Sequence, residues 1–511
     1  MARKFVCTYD APIVETKAGK LRGFQIDSTY VFRGIKYADA KRWEMPTPVQ
    51  PWEGVKDALN YGYVCPLVDA PKPSTGELLV PHRYWPEDEN CQYLNIWTQS
   101  LDRNAKKPVM VWLHGGGFAA GSGIEQVAYD GEALSVYGDL VVVTLNHRLN
   151  ILGYFDVSSL GEKYWNSANV GNADLVAALQ WVNENIENFG GDPNNVTIFG
   201  QSGGGMKVSS LCQTPAADNL FQKGIVMSGT TDRDMFSIDL SDVLPKLMEK
   251  LNVKTGEELA AVPYRPLIDA YLEVVGRRGA MAFGPKPNGW YLGEALFAGF
   301  SERQKKTPLM VGSVIGEFLG FGPGLKNRKT ATDEEVREAV GKFYGMEHAD
   351  EIIAAFKKAY PTSNPLDVLV IDTVFRPAVK RYVTEKAKYT EAPTYSYMFV
   401  AEMPIDNGKA PWHCADIPFF FHNAELVEYC NFPGSDELQE QMASAFVNFA
   451  RTGNPNNPSL PEWPAVTPED EACMIFDVKS YVGHNHDNEL LELCRKYAPN
   501  FNIFENIKVE H

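Results

Sequence analysis

Short apolar runs rich in Val and Ile recur along the chain at residues 109–113, 141–145, 196–199, 224–227, 308–311 and 395–400. Their length and their lack of polar alternation predict strands buried on both faces. Between 172 and 188 the period changes. Leu175, Ala178, Leu179, Val182 and Ile186 recur at three- and four-residue spacing, which predicts an amphipathic helix. Phe189-Gly190-Gly191-Asp192-Pro193 then supplies a helix stop and a turn. Strands alternating with helices predict an α/β fold with a mostly parallel central sheet flanked by helices. Two stretches, at about 232–305 and 320–390, depart from that alternation. Their charged helical patterns, such as 241–251 and 331–344, predict large helical insertions. These either roof a pocket as a cap or lie as plain surface helices.

Composition narrows the class. The chain has 511 residues and reads as one domain, 1–511, with the two insertions built into it. The 44% hydrophobic share excludes general disorder. A net charge of −17 argues against nucleic acid, whose phosphates demand Lys and Arg. No apolar run approaches the roughly 18 residues of a membrane span. The N-terminal apolar stretch is broken by Thr8 and Asp10, so no secretory signal is read there. The expectation is a cytoplasmic protein, or a secreted one if a signal was removed before residue 1. No H-E-x-x-H sequence and no closely spaced Cys/His cluster of zinc type is present, so neither metal nor organic cofactor is expected.

Two motifs carry chemistry. Gly200-Gln201-Ser202-Gly203-Gly204 is a G-x-S-x-G placed directly after the 196–199 strand, with a helix able to follow. Such a turn holds a Ser in a strained conformation with its hydroxyl exposed. The helix start behind it leaves the Gly203 N–H free for a developing oxyanion. Upstream, His114-Gly115-Gly116-Gly117-Phe118 follows another strand. A glycine run can turn several N–H groups towards one point.

At this point the chain resembles the type-B carboxylesterases, the family that includes the cholinesterases. Val31-Phe32-Arg33-Gly34-Ile35-Lys36-Tyr37-Ala38 resembles its F-R-G-I-P-Y-A segment, with Lys36 in place of Pro. Glu89-Asn90-Cys91-Gln92-Tyr93-Leu94-Asn95-Ile96 resembles its E-D-C-L-x-L-N signature. The resemblance implies an α/β-hydrolase fold, Ser202 as nucleophile, and Gly116, Gly117 and Gly203 as oxyanion-hole donors. Gln201 stands where many members have Glu. Gly312-Ser-Val-Ile-Gly-Glu317 resembles the family's spacing for the acid, which implies Glu317; Phe318 replaces the usual Gly after it. Trp412-His413-Cys414-Ala415-Asp416-Ile417-Pro418-Phe419 resembles the H-x-x-[DE]-[LI]-P-[YF] motif and implies His413 as base. His484, after an apolar run, is the reserve on general hydrolase grounds.

The resemblance also implies supporting parts: ion pairs Arg33–Glu89 and Arg148–Asp174, and Ser228 bonded to the acid. Cys65 and Cys91 match a disulfide of secreted members, and a reducing compartment would keep them as thiols. The implied activity is hydrolysis of small carboxylic esters through a Ser-Glu-His triad and an acyl-enzyme. Alternatives are a lipase, thioesterase or amidase using the same site, and a non-catalytic cholinesterase-like binding or adhesion module. Trp290, Tyr291, Phe318, Phe321, Trp412 and Phe420 either line a gorge or fill the core. Substrate identity and oligomeric state are not readable from these features.

Overall fold

The computed structural model describes residues 3–68, 75–230, 242–279, 282–293, 300–322 and 328–498. Its frame is a twelve-stranded sheet. From edge to edge the strands are Phe5–Val6, Phe24–Ile26, Thr29–Lys36, Tyr93–Thr98, Val141–Leu145, Lys107–Leu113, Gly191–Gln201, Lys223–Met227, Leu309–Val314, Thr394–Phe399, Ala472–Phe476 and Tyr481–His484. The seven strands from Val141–Leu145 to Ala472–Phe476 run parallel. The flanking strands are antiparallel. All six predicted strands lie in the parallel run. Ile13–Glu15, Lys20–Arg22 and Val55–Asp57 form a separate small sheet.

The continuous apolar runs have a simple physical cause. Successive side chains of a strand point to opposite faces, and here both faces are covered. Val109, Val111 and Leu113 face a layer that includes helices Val170–Asn185 and Gly203–Leu211. Met110 and Trp112 face the opposite layer, with helix Ser435–Thr452. The predicted helix at 172–188 is Val170–Asn185, closed by a 3-10 turn, Ile186–Phe189. Its polar Asn172 and Asp174 are buried as well. Asp174 is tolerated there because Arg148 pairs with it at 2.7 Å, as expected.

The 232–305 stretch contains helices Val243–Leu251, Gly256–Ala261 and Tyr264–Gly279. The first and third pack with Trp43, Phe118 and the turn at Leu149–Phe155. Within 320–390, Asp333–Tyr344 and Ala349–Ala359 pack with the last helix, Asn488–Tyr497. Phe375–Ala387 instead lays Val379, Tyr382 and Val383 on the central sheet.

One expected ion pair is corrected. Glu89 is held by Arg42, through both Nε and Nη2, and not by Arg33. The strand Thr29–Lys36 delivers Arg33 to the opposite side, over the Tyr61 ring and 3.7 Å from Asp130. The loop after that strand brings Arg42 to Glu89.

Candidate active site

Parallel strands end at the same edge, so the loops that follow them gather there. Register makes this concrete: Gly200 pairs with Leu113 on one side and Val226 on the other. The chain then leaves the sheet at His114, Ser202, Ser228 and Ile315.

Ser202 sits at φ 58°, ψ −125°, just before helix Gly203–Leu211. Its N–H is held by the Met227 carbonyl at 2.8 Å. A non-glycine residue in such a conformation costs on the order of 1–3 kcal/mol. Glycines around it are required by contact. A Cβ at Gly204 would lie 1.9 Å from the Leu113 carbonyl oxygen. One at Gly203 would lie 2.3 Å from the Gly117 carbonyl oxygen, so the helix start touches the glycine loop. Gly116 and Gly117 turn at φ 82° and 61°. Among the described residues their N–H groups have no acceptor. As the first helical residue, Gly203 has no intrahelical acceptor either.

Glu317 and His413 are both buried, and the Glu317 Oε2 meets His413 Nδ1. The other oxygen, Oε1, accepts the Val314 N–H at 3.0 Å. Backbone links fix the pair further: the His413 N–H bonds the Glu317 carbonyl at 3.0 Å. Strain gathers here too, with Glu317 at φ 36° and Cys414 at φ 79°. Nε2 of His413 faces Gln201 Nε2 at 3.2 Å. Oε1 of Gln201 accepts the Cys414 thiol at 3.2 Å, so its N–H side faces the imidazole. These partners set the tautomer: Nδ1–H towards Glu317, lone pair at Nε2. Among the described residues no hydrogen bond joins Ser202 Oγ to His413.

Two aromatic rings fix the imidazole plane. Phe318 stacks on His413 at 4.3 Å between ring centres, and Phe375 lies at 5.6 Å. Behind Glu317 stand two further carboxyls. Burial and then the Glu317 charge push Asp372 and Asp416 up to about 7. Asp372 also accepts the N–H groups of Val374 and Arg376, which anchors the helix carrying Phe375.

The other expectations divide. His484 is exposed and bonded to Asp470 at 2.7 Å, away from this edge. Ser228 is buried, and its Oγ has no hydrogen-bond partner among the described residues. Cys65 and Cys91 are free buried thiols. Trp412 and Phe420 are core residues, whereas Phe318 lies in the site. Residues 231–234, a polar stretch after Thr230, lie outside the described residues. A cavity of about 250 Å³ opens beside the glycine loop rather than over Ser202, between Ala120–Ser122 and His82, Tyr84 and Trp85. Among the described residues no group of three or more His, Cys, Asp or Glu is placed to hold a metal ion. Sequence reasoning missed Phe375, which lies 58 residues past Glu317 and has no motif. It also missed the Gln201–Cys414 bond, for which the Gln-for-Glu departure was the available signal.

The sheet, its parallel core and the loops at its carboxyl edge define an α/β hydrolase. The carboxylesterase family model matches residues 10–493, and the chain belongs to the carboxylesterase family, whose members hydrolyse carboxylic esters. It is 33% identical to the para-nitrobenzyl esterase of Bacillus subtilis (strain 168), over 93% of this chain and 97% of that one. It is 29% identical to rat liver carboxylesterase 1F (Rattus norvegicus), over 91% and 90%. Among solved structures, an esterase from anaerobic Clostridium hathewayi superposes with TM-score 0.92 at 50% identity, covering 97% of this chain and 100% of that one. That enzyme is described as able to hydrolyse aliphatic aromatic polyesters.

Proposed function

We propose that the chain is a serine carboxylesterase acting on uncharged carboxylic esters through a Ser202-Glu317-His413 triad and an acyl-enzyme. The observation that carries this reading is the strained, partly exposed Ser202 at one sheet edge with the Glu317–His413 pair. On substrate binding His413 exchanges Gln201 for Ser202 Oγ and takes its proton as the hydroxyl attacks the ester carbonyl. Gly116, Gly117 and Gly203 donate to the oxyanion, where each such bond is worth about 10²–10³ in turnover. Glu317 holds the Nδ1–H and stabilises the imidazolium. His413 then protonates the leaving alcohol, and water activated by the same ring releases the acid.

We further assign both helical stretches to the walls of the site within one domain. Support comes from Phe375, on the second stretch, beside His413, and from Gly284, on the first, against the Phe118 ring. Buried free Cys65 and Cys91 support a cytoplasmic setting. The 50% identity to the Clostridium hathewayi enzyme supports including aliphatic aromatic polyesters among the substrates. The test is hydrolysis of chromogenic acyl esters of two to sixteen carbons, and of a polyester film, by wild type and Ser202→Ala. Activity abolished by the substitution supports the reading. Activity that survives it, or its absence from every ester, overturns the assignment of Ser202.

A further inference from the structure

The helix behind the nucleophile carries a charged group that the reaction above does not use. Lys207 lies on Gly203–Leu211, little more than a turn past Ser202, and is fully buried. Lysine is almost never fully buried unless its ammonium is paired. Here Nζ donates to the His114 carbonyl oxygen at 2.8 Å, its hydrogen-bond acceptor among the described residues. His114 is the residue directly before Gly115-Gly116-Gly117.

We propose that Lys207 is a positioning residue for the oxyanion hole: its ammonium clamps the His114 carbonyl and so holds the glycine loop in register with the nucleophile helix. The proposal rests on the reading of Gly116, Gly117 and Gly203 as oxyanion donors. Two segments must agree for those donors to converge, the glycine loop and the helix start. They touch through glycines: Gly117 against Gly203, Gly115 against Gln201 and Ser202, and Gly204 against the His114 carbonyl oxygen. These are van der Waals contacts without direction, and glycines resist ordering more than other residues. The Lys207 bond adds a directional attachment between the same two segments. Below about pH 7 it is charge-assisted, and such bonds are about twice as strong as neutral ones.

The surroundings favour the cation on Lys207 over its neighbours. Burial, and then the Lys207 charge itself, drives both His114 and His147 well below the usual histidine range. Burial also lowers Lys207, to about 7 even with the nearby Glu125 carboxylate opposing the shift. Of the three basic groups in this pocket, Lys207 is the one with a carboxylate and a carbonyl arranged to favour its charge.

The experiment compares wild type, Ser202→Ala, Lys207→Met, Lys207→Gln and Lys207→Arg. Active sites are counted by stoichiometric reaction with a p-nitrophenyl phosphonate, so misfolded protein does not enter the rate. In the Met and Gln variants, kcat per site for a p-nitrophenyl ester should fall about 10–100-fold with KM changed less than about threefold, as expected for donors displaced by a fraction of an ångström to one ångström. Affinity for a trifluoromethyl ketone, which fills the oxyanion hole as a tetrahedral adduct, should fall by the same factor. Affinity for the matching alcohol should stay unchanged. Lys207→Arg, which keeps the charge, should recover part of the loss. Unchanged kcat per site and unchanged ketone affinity in a folded Met or Gln variant would overturn the clamp while leaving the triad reading intact. Wild-type activity that survives Ser202→Ala would instead overturn the triad reading, and the clamp with it.

Discussion

Nε2 of His413 stands 3.2 Å from Nε2 of Gln201, and the Cys414 thiol holds the other end of that amide. An amide N–H can donate only to the unprotonated nitrogen of the ring. Gln201 therefore faces the ring nitrogen that the proposed mechanism assigns to proton transfer. Gln201→Glu would present an acceptor and favour the imidazolium instead, beside Glu317, with Asp372 and Asp416 behind it and Cys414 alongside. The acid limb of kcat/KM should move to higher pH by about one unit, in keeping with a new opposite charge nearby. A pH profile of the variant checks this, and an unmoved limb would show that the amide does not select the base form.

Phe318 stacks on His413 where a glycine is usual in the family. Aromatic pairs are worth about 0.5–1.5 kcal/mol beyond the area they bury. Phe318→Ala should lower kcat/KM by about 2–10-fold, and Phe318→Tyr should restore it. Steady-state kinetics with a short-chain ester decides the matter. Equal losses in both variants would assign Phe318 to packing alone.

Gly204 allows no side chain. A Cβ there would overlap the Leu113 carbonyl oxygen, which is backbone of a central strand and cannot swing aside. Gly204→Ala should lower the thermal midpoint by several degrees and cost at least about 100-fold in activity, through displacement of Ser202. Scanning calorimetry and rate per active site measure the two effects separately.

Asp416 should make stability depend on pH in a defined direction. Burial and then Glu317 raise it from the ordinary 3.8 to about 7. The folded state thus holds that proton more tightly than the unfolded chain does. This contribution is fully present below about pH 4 and is lost as pH rises through 7. Asp416→Asn has no proton to lose, and its amide oxygen can still accept from the Tyr397 hydroxyl. The midpoint of the variant relative to wild type should therefore be higher at pH 8 than at pH 5. An equal difference at both values would place the ionisation of Asp416 elsewhere.

Much of this arrangement was legible in the chain because it depends on short-range constraints. Continuous Val- and Ile-rich runs follow directly from a sheet covered on both faces. The elbow at Ser202 writes its sterics into Gly200, Gly203 and Gly204, since each lies against backbone. His413 could be chosen over His484 only through the motif around it; an apolar run before a histidine does not distinguish the triad edge from an exposed strand. What escaped reading depends on contacts across the fold. Phe375 reaches His413 because Asp372 anchors its helix, and no local pattern encodes that approach. Arg33 and Arg42 lie nine positions apart, and only the path of the strand and loop between them decides which meets Glu89.

The backbone at Ser202 lies in a region that glycine occupies freely. Ser202→Gly would relax it while touching nothing else, so the inactive protein is expected to be the more robust one, by on the order of 1 kcal/mol. At this one residue, catalytic competence and conformational comfort are opposed. Selection for folding alone would erode the nucleophile and keep the scaffold, leaving a well-ordered protein with an empty elbow.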